Sequence, residues 1–295
     1  MRLFAPAKIN LFLHAGEKRA DGYHALESLV AFAQIGDRLD IGAASTLTLD
    51  VSGPFANRLV RNDDNLVLRA ARALAANASG AQRGAHIALE KNLPVAAGLG
   101  GGSADAAAAL RGLNAYWNLG LAESALLEIA ATLGSDVPAC LLSRTCWMEG
   151  RGEHVREMPP MPQFPLILIN PGVLVPTGAI FAGLNARTGI GAIEPPGTMQ
   201  SVWDLVAYLA DAANDLEAPA SRYAPLIEDV LAALDREPGC VLAQMSGSGA
   251  TCFGLFEQEQ FALGAAERIA QDHREWWVRA TRIAPPDIGA PQPAA

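Results

Sequence analysis

The sequence is poor in cysteine and in positive charge. Its 295 residues include four cysteines, none of them in a C-x-x-C pair. A chain of this size needs no disulfides to stabilise its core, so we expect reduced thiols. Acidic residues outnumber basic ones by 31 to 22, and the formal net charge of -9 disfavours nucleic acid or an anionic membrane surface as a partner.

Long apolar runs are also missing. No segment approaches the roughly 18 consecutive apolar residues that a membrane helix requires. The N-terminal stretch contains Lys8 and Asn10 where a signal peptide would be apolar throughout. We therefore expect a cytoplasmic protein.

The composition that remains is that of a globular protein with a substantial core, since 51% of the residues are hydrophobic and 18% charged. The length favours two closely joined domains. A proline-rich stretch, "MPPMPQFP", marks the junction between an N-terminal ATP-binding domain over 1–157 and a C-terminal domain over 164–283. Residues 284–295 are rich in proline and alanine, and we expect a poorly ordered tail there.

Periodicity predicts an α+β protein. The segment "AKINLFLH" alternates and predicts one strand with Lys8 and Asn10 on the same face. Further strands are predicted near 26–33, 38–41 and 47–51, and the first helix follows Asn65. In the second half, "LILIN" predicts a buried strand, 199–213 a helix, and "SGSGAT" the turn of a hairpin.

The stretch "PVAAGLGGGSADAAAAL" holds four glycines between residues 98 and 102, after a strand and before an alanine-rich helix. Free backbone N–H groups and the positive end of a helix dipole make such a junction an anion site. Glycine also permits close approach and positive φ. We predict a polyphosphate site here, with Ser103 as the N-cap of a helix over 104–117.

Two common glycine motifs of nucleotide-binding proteins fit this stretch less well. A Walker A loop requires lysine after its last glycine, and here Ser103 and Ala104 follow Gly102. A Rossmann fingerprint would need glycine or alanine where Ser103 stands. The glycines could instead only allow the helix to pack tightly on the sheet.

Three stretches together, "PAKINLFLHAGEKRADGYH", "LPVAAGLGGGSADAAAAL" and "SGSGATCFGLF", resemble the three motifs of the GHMP kinase superfamily. This resemblance implies a two-domain GHMP-kinase fold, with a mixed or antiparallel sheet in the N-terminal domain and a smaller α+β C-terminal domain. It implies that ATP binds to the glycine loop. The ATP-binding residues implied are Pro94, Val95, Ala96, Ala97, Gly98, Leu99, Gly100, Gly101, Gly102, Ser103 and Ala104.

The resemblance also implies two catalytic residues. Asp136, in "LGSDVPA", matches the family's catalytic aspartate, which receives the proton of the acceptor hydroxyl. On its own, Asp136 could be a helix N-cap. Lys8 matches a lysine that lies beside that aspartate and helps to neutralise the transferred charge, although an exposed strand lysine is the alternative.

The stretches "AKIN" with "DGYH", the triple-glycine loop and "LGSDVPA" imply a CDP-linked methylerythritol as the acceptor. Tyr23 and Phe181 match aromatic residues that sandwich a cytosine ring, and His24 matches the residue that contacts the cytosine edge. Asn10 matches a further substrate-binding residue. Asn65 and Thr177 are weaker matches.

ATP chemistry implies Mg²⁺, held by the substrate phosphates, because the sequence has no dense acidic or histidine cluster that would form a protein metal site. We expect only small-molecule partners, ATP and the CDP-linked acceptor, and a monomer or weak homodimer. The rival interpretations are a homoserine or mevalonate kinase, a nucleotide-binding regulator without activity, and an NAD-dependent oxidoreductase.

Overall fold

The structure is a computed structural model that describes residues 1–59, 64–77, 83–184 and 190–292. The strands are β1 (Arg2–Asn10), β2 (His14–Lys18), β3 (His24–Gly42), β4 (Leu47–Ser52), β5 (Ala85–Glu90), β6 (Cys146–Gly150), β7 (His154–Glu157), β8 (Pro165–Asn170), β9 (Cys240–Met245), β10 (Cys252–Phe256) and β11 (Trp277–Arg282). The helices are α1 (Leu66–Ala76), α2 (Gly101–Tyr116), α3 (Glu123–Leu133), α4 (Val137–Leu142), α5 (Thr177–Ala182), α6 (Val202–Leu209), α7 (Glu217–Tyr223), α8 (Leu226–Asp235) and α9 (Glu259–Asp272). Within these ranges, no helix has the length and apolar content needed to cross a bilayer.

The N-terminal half forms a sheet around the long strand β3. One edge of β3 pairs antiparallel with β1 and β2, and the other edge pairs antiparallel with β5 and β6. Strand β4 joins β5 in parallel, and β7 pairs antiparallel with β6. The sheet is therefore mixed, as the family resemblance implied.

The C-terminal half forms a second sheet of order β11-β8-β10-β9, in which every pair is antiparallel. Strand β8 is buried along its whole length, as predicted for "LILIN". Leu166 and Leu168 on β8 pack towards the N-terminal half, and Ile167 and Ile169 pack on the opposite side with residues of α8 and α9. The predicted α+β class is confirmed.

A β-bulge in the pairing of β1 with β3, with the extra residues on β3, turns Lys8 and Asn10 towards α2. Leu3 and Ala5 belong to the apolar cluster that contains α2, but Ala7 and Ile9 belong to the cluster between the two sheets. All four positions would share one face of a regular strand, and the register shift between Pro6 and Lys8 reverses the faces. The residues after the bulge that face α2 are consequently the even-numbered ones.

Two neighbouring strand predictions merge in the structure. The predicted strands at 26–33 and 38–41 are parts of β3, which continues through Gly36 and Asp37. A Cβ on Gly36 would lie 2.2 Å from the Ala5 carbonyl oxygen, so this glycine permits close strand pairing. Asp37 is fully buried, and its side chain accepts from Leu93 N.

Further differences concern element ends. The predicted strand "AKINLFLH" is interrupted between β1 and β2. The helix predicted over 199–213 is α6, which is shorter because Ser201 and Asp204 form a capping box at its start. The terminal segment was expected to be poorly ordered, but Gln292 pairs with Arg2 and Ala284 N donates to Phe32 O. Residues 293–295 lie outside the described part of the chain.

Candidate active site

A cavity of about 1280 Å³ lies between the two halves of the chain. The N-terminal half contributes the glycine loop, residues of β1 and the segment around Tyr23, and the C-terminal half contributes the start of α5 and the turn between β9 and β10. Of the expected ATP-binding residues, those that line the cavity are Ala96, Ala97, Gly98, Gly100, Gly101, Gly102 and Ser103. Pro94, Val95 and Leu99 of the loop and Ala104 of α2 do not line the cavity.

The glycines of the loop lack side chains for different structural reasons. Gly98 has a φ of +77°, and a Cβ there would lie 2.3 Å from the Ser246 carbonyl oxygen. Gly100 has a φ of +61°, and a Cβ there would lie 3.1 Å from Lys8 Cβ. Gly102 is exposed, and a Cβ there would meet nothing within 4 Å. Among these three, Gly102 alone has no reason within the described protein to lack a side chain.

The turn between β9 and β10 holds the glycine loop from the other side of the cavity. Ser246 Oγ donates to Gly98 O at 3.0 Å and accepts from Asn10 N at 3.1 Å. Thr251 N donates to Ala97 O at 3.1 Å. The C-terminal half therefore fixes the backbone of a loop that belongs to the N-terminal half.

Helix α2 begins three residues earlier than predicted. Its N-cap is Gly100 in a left-handed conformation, and Ser103 lies inside the first turn. The prediction that Ser103 is the N-cap is wrong, because a glycine that accepts positive φ ends the loop first. The Ser103 hydroxyl makes no hydrogen bond within the described chain and faces the cavity.

Lys8 and Asp136 meet at the cavity wall. Lys8 Nζ donates to Asp136 Oδ1 at 2.8 Å, and the Lys8 side chain is 3% exposed while that of Asp136 is 37% exposed. Asp136 occupies the N-cap position of α4, but its side chain makes no capping hydrogen bond. The carboxylate is thus paired with the lysine and still open to the cavity, and Lys8 is not an exposed strand lysine.

Asn10 presents a free acceptor to the same cavity. Its Nδ2 donates to Ser28 Oγ at 2.8 Å, which fixes the orientation of the amide. Its Oδ1 is buried and has no hydrogen-bond partner within the described chain. A buried acceptor of this kind calls for a donor such as a substrate hydroxyl.

The three side chains expected to bind a cytosine, Tyr23, His24 and Phe181, all line the cavity. His24 stacks on Phe181, with ring centroids 5.3 Å apart. Tyr23 is half exposed. The guanidinium carbon of Arg151 lies over the Tyr23 ring, 5.2 Å from the ring centroid.

His24 is oriented by the backbone. Its Nδ1 lies 2.9 Å from the Gly16 carbonyl oxygen. A carbonyl can only accept, so Nδ1 carries the proton of this bond and the neutral ring has its lone pair at Nε2. The cavity therefore offers an acceptor at Nε2.

The two weaker matches have local partners. Thr177 Oγ1 lies 2.9 Å from Ser248 Oγ, and both residues line the cavity. Asn65 is the N-cap of α1, where its Oδ1 accepts from Val67 N at 2.9 Å. Asn65 itself does not line the cavity, although its neighbour Leu66 does.

The described residues contain no group of three or more His, Cys, Asp or Glu side chains placed to hold a metal ion. Asp136 and Ser103 offer single oxygen ligands at the cavity wall. Such a sparse donor set fits an ion such as Mg²⁺, which keeps several waters and is carried by substrate phosphates.

Sequence reasoning missed several residues near the site. Arg151 lines the cavity, and no periodicity or motif pointed to it. A buried cluster of Asp37, Lys91 and Asp105 lies behind the glycine loop. The sequence around Asp105 could have indicated this cluster. A carboxylate in the alanine-rich part of a buried helix needs a hydrogen-bonding or oppositely charged partner.

Comparison with known proteins places this fold and site in one class. Residues 65–144 match the GHMP kinases N terminal domain, and residues 200–277 match the GHMP kinases C terminal model. A solved homoserine kinase from Cytophaga hutchinsonii, 17% identical, shares the fold with a TM-score of 0.66 over 97% of this chain and 94% of that one. The fold and the two matching models are those of a small-molecule kinase of the GHMP class.

More similar proteins narrow the assignment. A 4-diphosphocytidyl-2-C-methyl-D-erythritol kinase from Parvibaculum lavamentivorans is 52% identical over 279 residues, which are 93% of this chain and 95% of the relative. A crystal structure of 4-(cytidine 5'-diphospho)-2C-methyl-D-erythritol kinase is 34% identical with a TM-score of 0.75, covering 96% of this chain and all of that one. The chain belongs to the 4-diphosphocytidyl-2-C-methyl-D-erythritol kinase family, which confirms the resemblance drawn from the three motifs.

Proposed function

We propose that this protein transfers the γ-phosphoryl group of ATP to the 2-hydroxyl of 4-diphosphocytidyl-2-C-methyl-D-erythritol, a step of the non-mevalonate pathway to isoprenoid precursors. The observation that carries the proposal is the position of Lys8. Its stem packs against Gly100 of the glycine loop, and its Nζ lies 2.8 Å from Asp136. One side chain thus connects the phosphate loop to a carboxylate that can receive a proton.

Each of these residues has a separate role in the proposed reaction. Asp136 accepts the proton of the attacking hydroxyl, and Lys8 holds that carboxylate in place and neutralises charge on the transferred phosphoryl group. Asn10 Oδ1, which has no protein partner within the described chain, orients the acceptor. The backbone amides at the start of α2 hold the triphosphate. When bound with ATP, Mg²⁺ supplies further charge neutralisation, and Asp136 and Ser103 are the residues that would contact it.

The cytidine is proposed to bind on the opposite side of the cavity, beside Tyr23, His24 and Phe181. The His24 lone pair at Nε2 can accept from the exocyclic amine of cytosine. We propose that the cytosine ring stacks between Tyr23 and Phe181. Thr177 lies at the start of α5, the helix that carries Phe181.

Both walls of the cavity come from one chain, so a monomer can hold a complete site, and we propose that the protein acts as a monomer or a weak homodimer. All four cysteines are free thiols. Free thiols persist in a reducing compartment, which supports the cytoplasm as the place of the reaction.

The test is an ADP-release assay with a panel of alcohols. We expect ATP-dependent turnover with 4-diphosphocytidyl-2-C-methyl-D-erythritol and none above background with homoserine or mevalonate. The product should carry its new phosphate on the 2-oxygen, which phosphorus NMR can establish. Turnover with homoserine or mevalonate instead would replace the proposed acceptor, and absence of ADP with every alcohol would favour a non-catalytic nucleotide sensor.

A further inference from the structure

Three charged side chains form a buried cluster behind the glycine loop, on the side away from the cavity. Asp37 is 0% exposed, Lys91 2% and Asp105 3%. They come from β3, from the segment that follows β5, and from the second turn of α2. We call this cluster the loop anchor.

The loop anchor bonds both ends of the glycine loop. Lys91 Nζ donates to Asp37 Oδ2 and, at 2.7 Å, to Asp105 Oδ2. Asp37 Oδ1 accepts from Asn92 N at 2.5 Å and from Leu93 N at 2.9 Å. The entry to the loop and the helix that leaves it are therefore connected through one ammonium group.

A single residue, Gly101, separates the loop anchor from the cavity. A Cβ on Gly101 would be 3.4 Å from Lys91 Nζ and 3.6 Å from Asp37 Oδ2, and Gly101 itself lines the cavity. Any movement of the anchor must therefore move the amides at the start of α2. Lys91 is too deeply buried to reach a ligand itself.

Stability alone does not account for three buried charges. Apolar residues of similar size commonly stabilise a core as well as or better than a buried ion cluster. The cluster has two carboxylates for one ammonium. Burial raises the pKa of Asp105, while the charge of Lys91 opposes this shift and that of Asp37 adds to it. Asp105 Oδ1 has no hydrogen-bond partner within the described chain.

We propose that Asp37, Lys91 and Asp105 are positioning residues for the nucleotide, which hold the glycine loop so that its amides converge on the phosphates of ATP. This inference rests on the proposed function, since it takes the loop to bind ATP. The anchor acts through the backbone of Gly101 and not by contact with a substrate. Its loss weakens ATP binding and leaves cytidine binding unchanged.

The test compares two substitutions at Asp105 in the full chain. Asp105→Asn keeps an oxygen that accepts from Lys91 Nζ, whereas Asp105→Leu removes it. Calorimetry measures the affinity for adenylyl imidodiphosphate with Mg²⁺ and, separately, for CDP. We expect Asp105→Leu to weaken binding of the ATP analogue by about 10- to 100-fold, which corresponds to loss of a charge-assisted hydrogen bond. Asp105→Asn should restore most of that affinity, and CDP should bind all variants alike.

Asn114 provides the matched control, because it lies near the other end of α2. It donates to Leu121 O and accepts from Leu121 N, both at 3.0 Å. Asn114→Ala should lower the melting temperature without changing affinity for the ATP analogue. If Asp105→Leu does not fold, Asp37→Asn replaces it, since this variant keeps the size of the side chain and sets an amide N–H₂ against the Lys91 ammonium.

Three outcomes decide the matter. Weakened analogue binding with unchanged CDP binding, rescued by Asp105→Asn, supports the proposal. Folded variants that bind the analogue like the wild type, or that lose affinity for CDP to the same extent, show that the anchor is only structural and overturn it. Failure of the wild-type protein to bind the analogue overturns the proposed function, and this inference with it.

Discussion

At the scale of single residues, Asp136 shows how a side chain at the start of a helix stays available for chemistry. An aspartate at a helix N-cap ordinarily accepts from the backbone N–H of the second or third helical residue. Pro138 is the second residue of α4 and has no N–H. Asp136 makes no cap bond and is paired with Lys8 instead. Ala139, the third residue of α4, still has its N–H, so the pairing with Lys8 and not the missing donor keeps the carboxylate at the cavity wall.

The substitution Asp136→Asn tests this role. It keeps the size of the side chain and removes the base, so we expect kcat to fall by about 10²- to 10⁴-fold. KM for ATP should change less than kcat, because most of the proposed ATP contacts are backbone amides of the glycine loop and Asp136 would contact only the Mg²⁺. Steady-state kinetics with both substrates measure the two effects.

Glu123 is a suitable control for this variant, since it lies outside the cavity and forms a surface ion pair with Arg144 at 2.9 Å. Glu123→Gln should leave kcat as it is, because exposed ion pairs contribute little. An Asp136→Asn protein with wild-type kcat would remove Asp136 from the role of base.

At the scale of elements, the glycine loop separates structural glycines from one that faces a ligand. Gly98 and Gly100 have positive φ and close protein neighbours, whereas Gly102 is a helical residue with open space around its missing side chain. Gly102→Ala should therefore stabilise the protein by about 0.5–1 kcal/mol, the usual gain of alanine over glycine in a helix. It should also raise KM for ATP, because the methyl group occupies the space that the phosphates approach.

Gly98→Ala is the informative contrast. Its Cβ would stand 2.3 Å from the Ser246 carbonyl oxygen at a φ of +77°, so we expect loss of stability in denaturant unfolding. Should Gly102→Ala bind and use ATP like the wild type, the phosphates do not pass over this part of the helix.

Element by element, the sequence predicted the parts whose signal is local. The buried strand "LILIN", the glycine loop before an alanine-rich helix, and the α+β class follow from periodicity and turn residues. The start of α2 at Gly101 could not be predicted in this way, because glycine and serine can both precede a helix. Only the backbone conformation of Gly100 determines which residue is the N-cap. The continuity of β3 through Asp37 depends on partners 54 to 56 residues away in the chain, which no local pattern contains.

At the candidate site, too, local motifs predicted some residues but not the contacts between distant segments. Motifs identified Lys8, Asn10 and Asp136, and the structure brings all three to one cavity. The stacking of His24 on Phe181, and the contact of Arg151 with Tyr23, join segments that are distant in sequence. Such contacts arise from tertiary packing, so residue types and spacing could not predict them.

At the scale of the whole molecule, an apolar cluster between the two sheets holds the walls of the cavity together. It includes Ile9 of β1, Leu166 of β8, Leu205 of α6 and Phe253 of β10. Because the cluster draws on both halves, we expect the described halves to unfold as one cooperative unit, although the chain is predicted to have two domains. A rigid cavity wall is useful for a reaction in which positioning supplies much of the rate.

The substitution Leu205→Ala tests this coupling. Leu205 is fully buried, so we expect a loss of about 2–5 kcal/mol in the free energy of unfolding. Hydrogen exchange should accelerate by a similar factor in β1 and in β8, although Leu205 belongs to the C-terminal half. Leu226→Ala, at a position 39% exposed, is the control and should change exchange little in either strand. Acceleration confined to β8 would mean that the two halves unfold independently and that the cluster does not couple them.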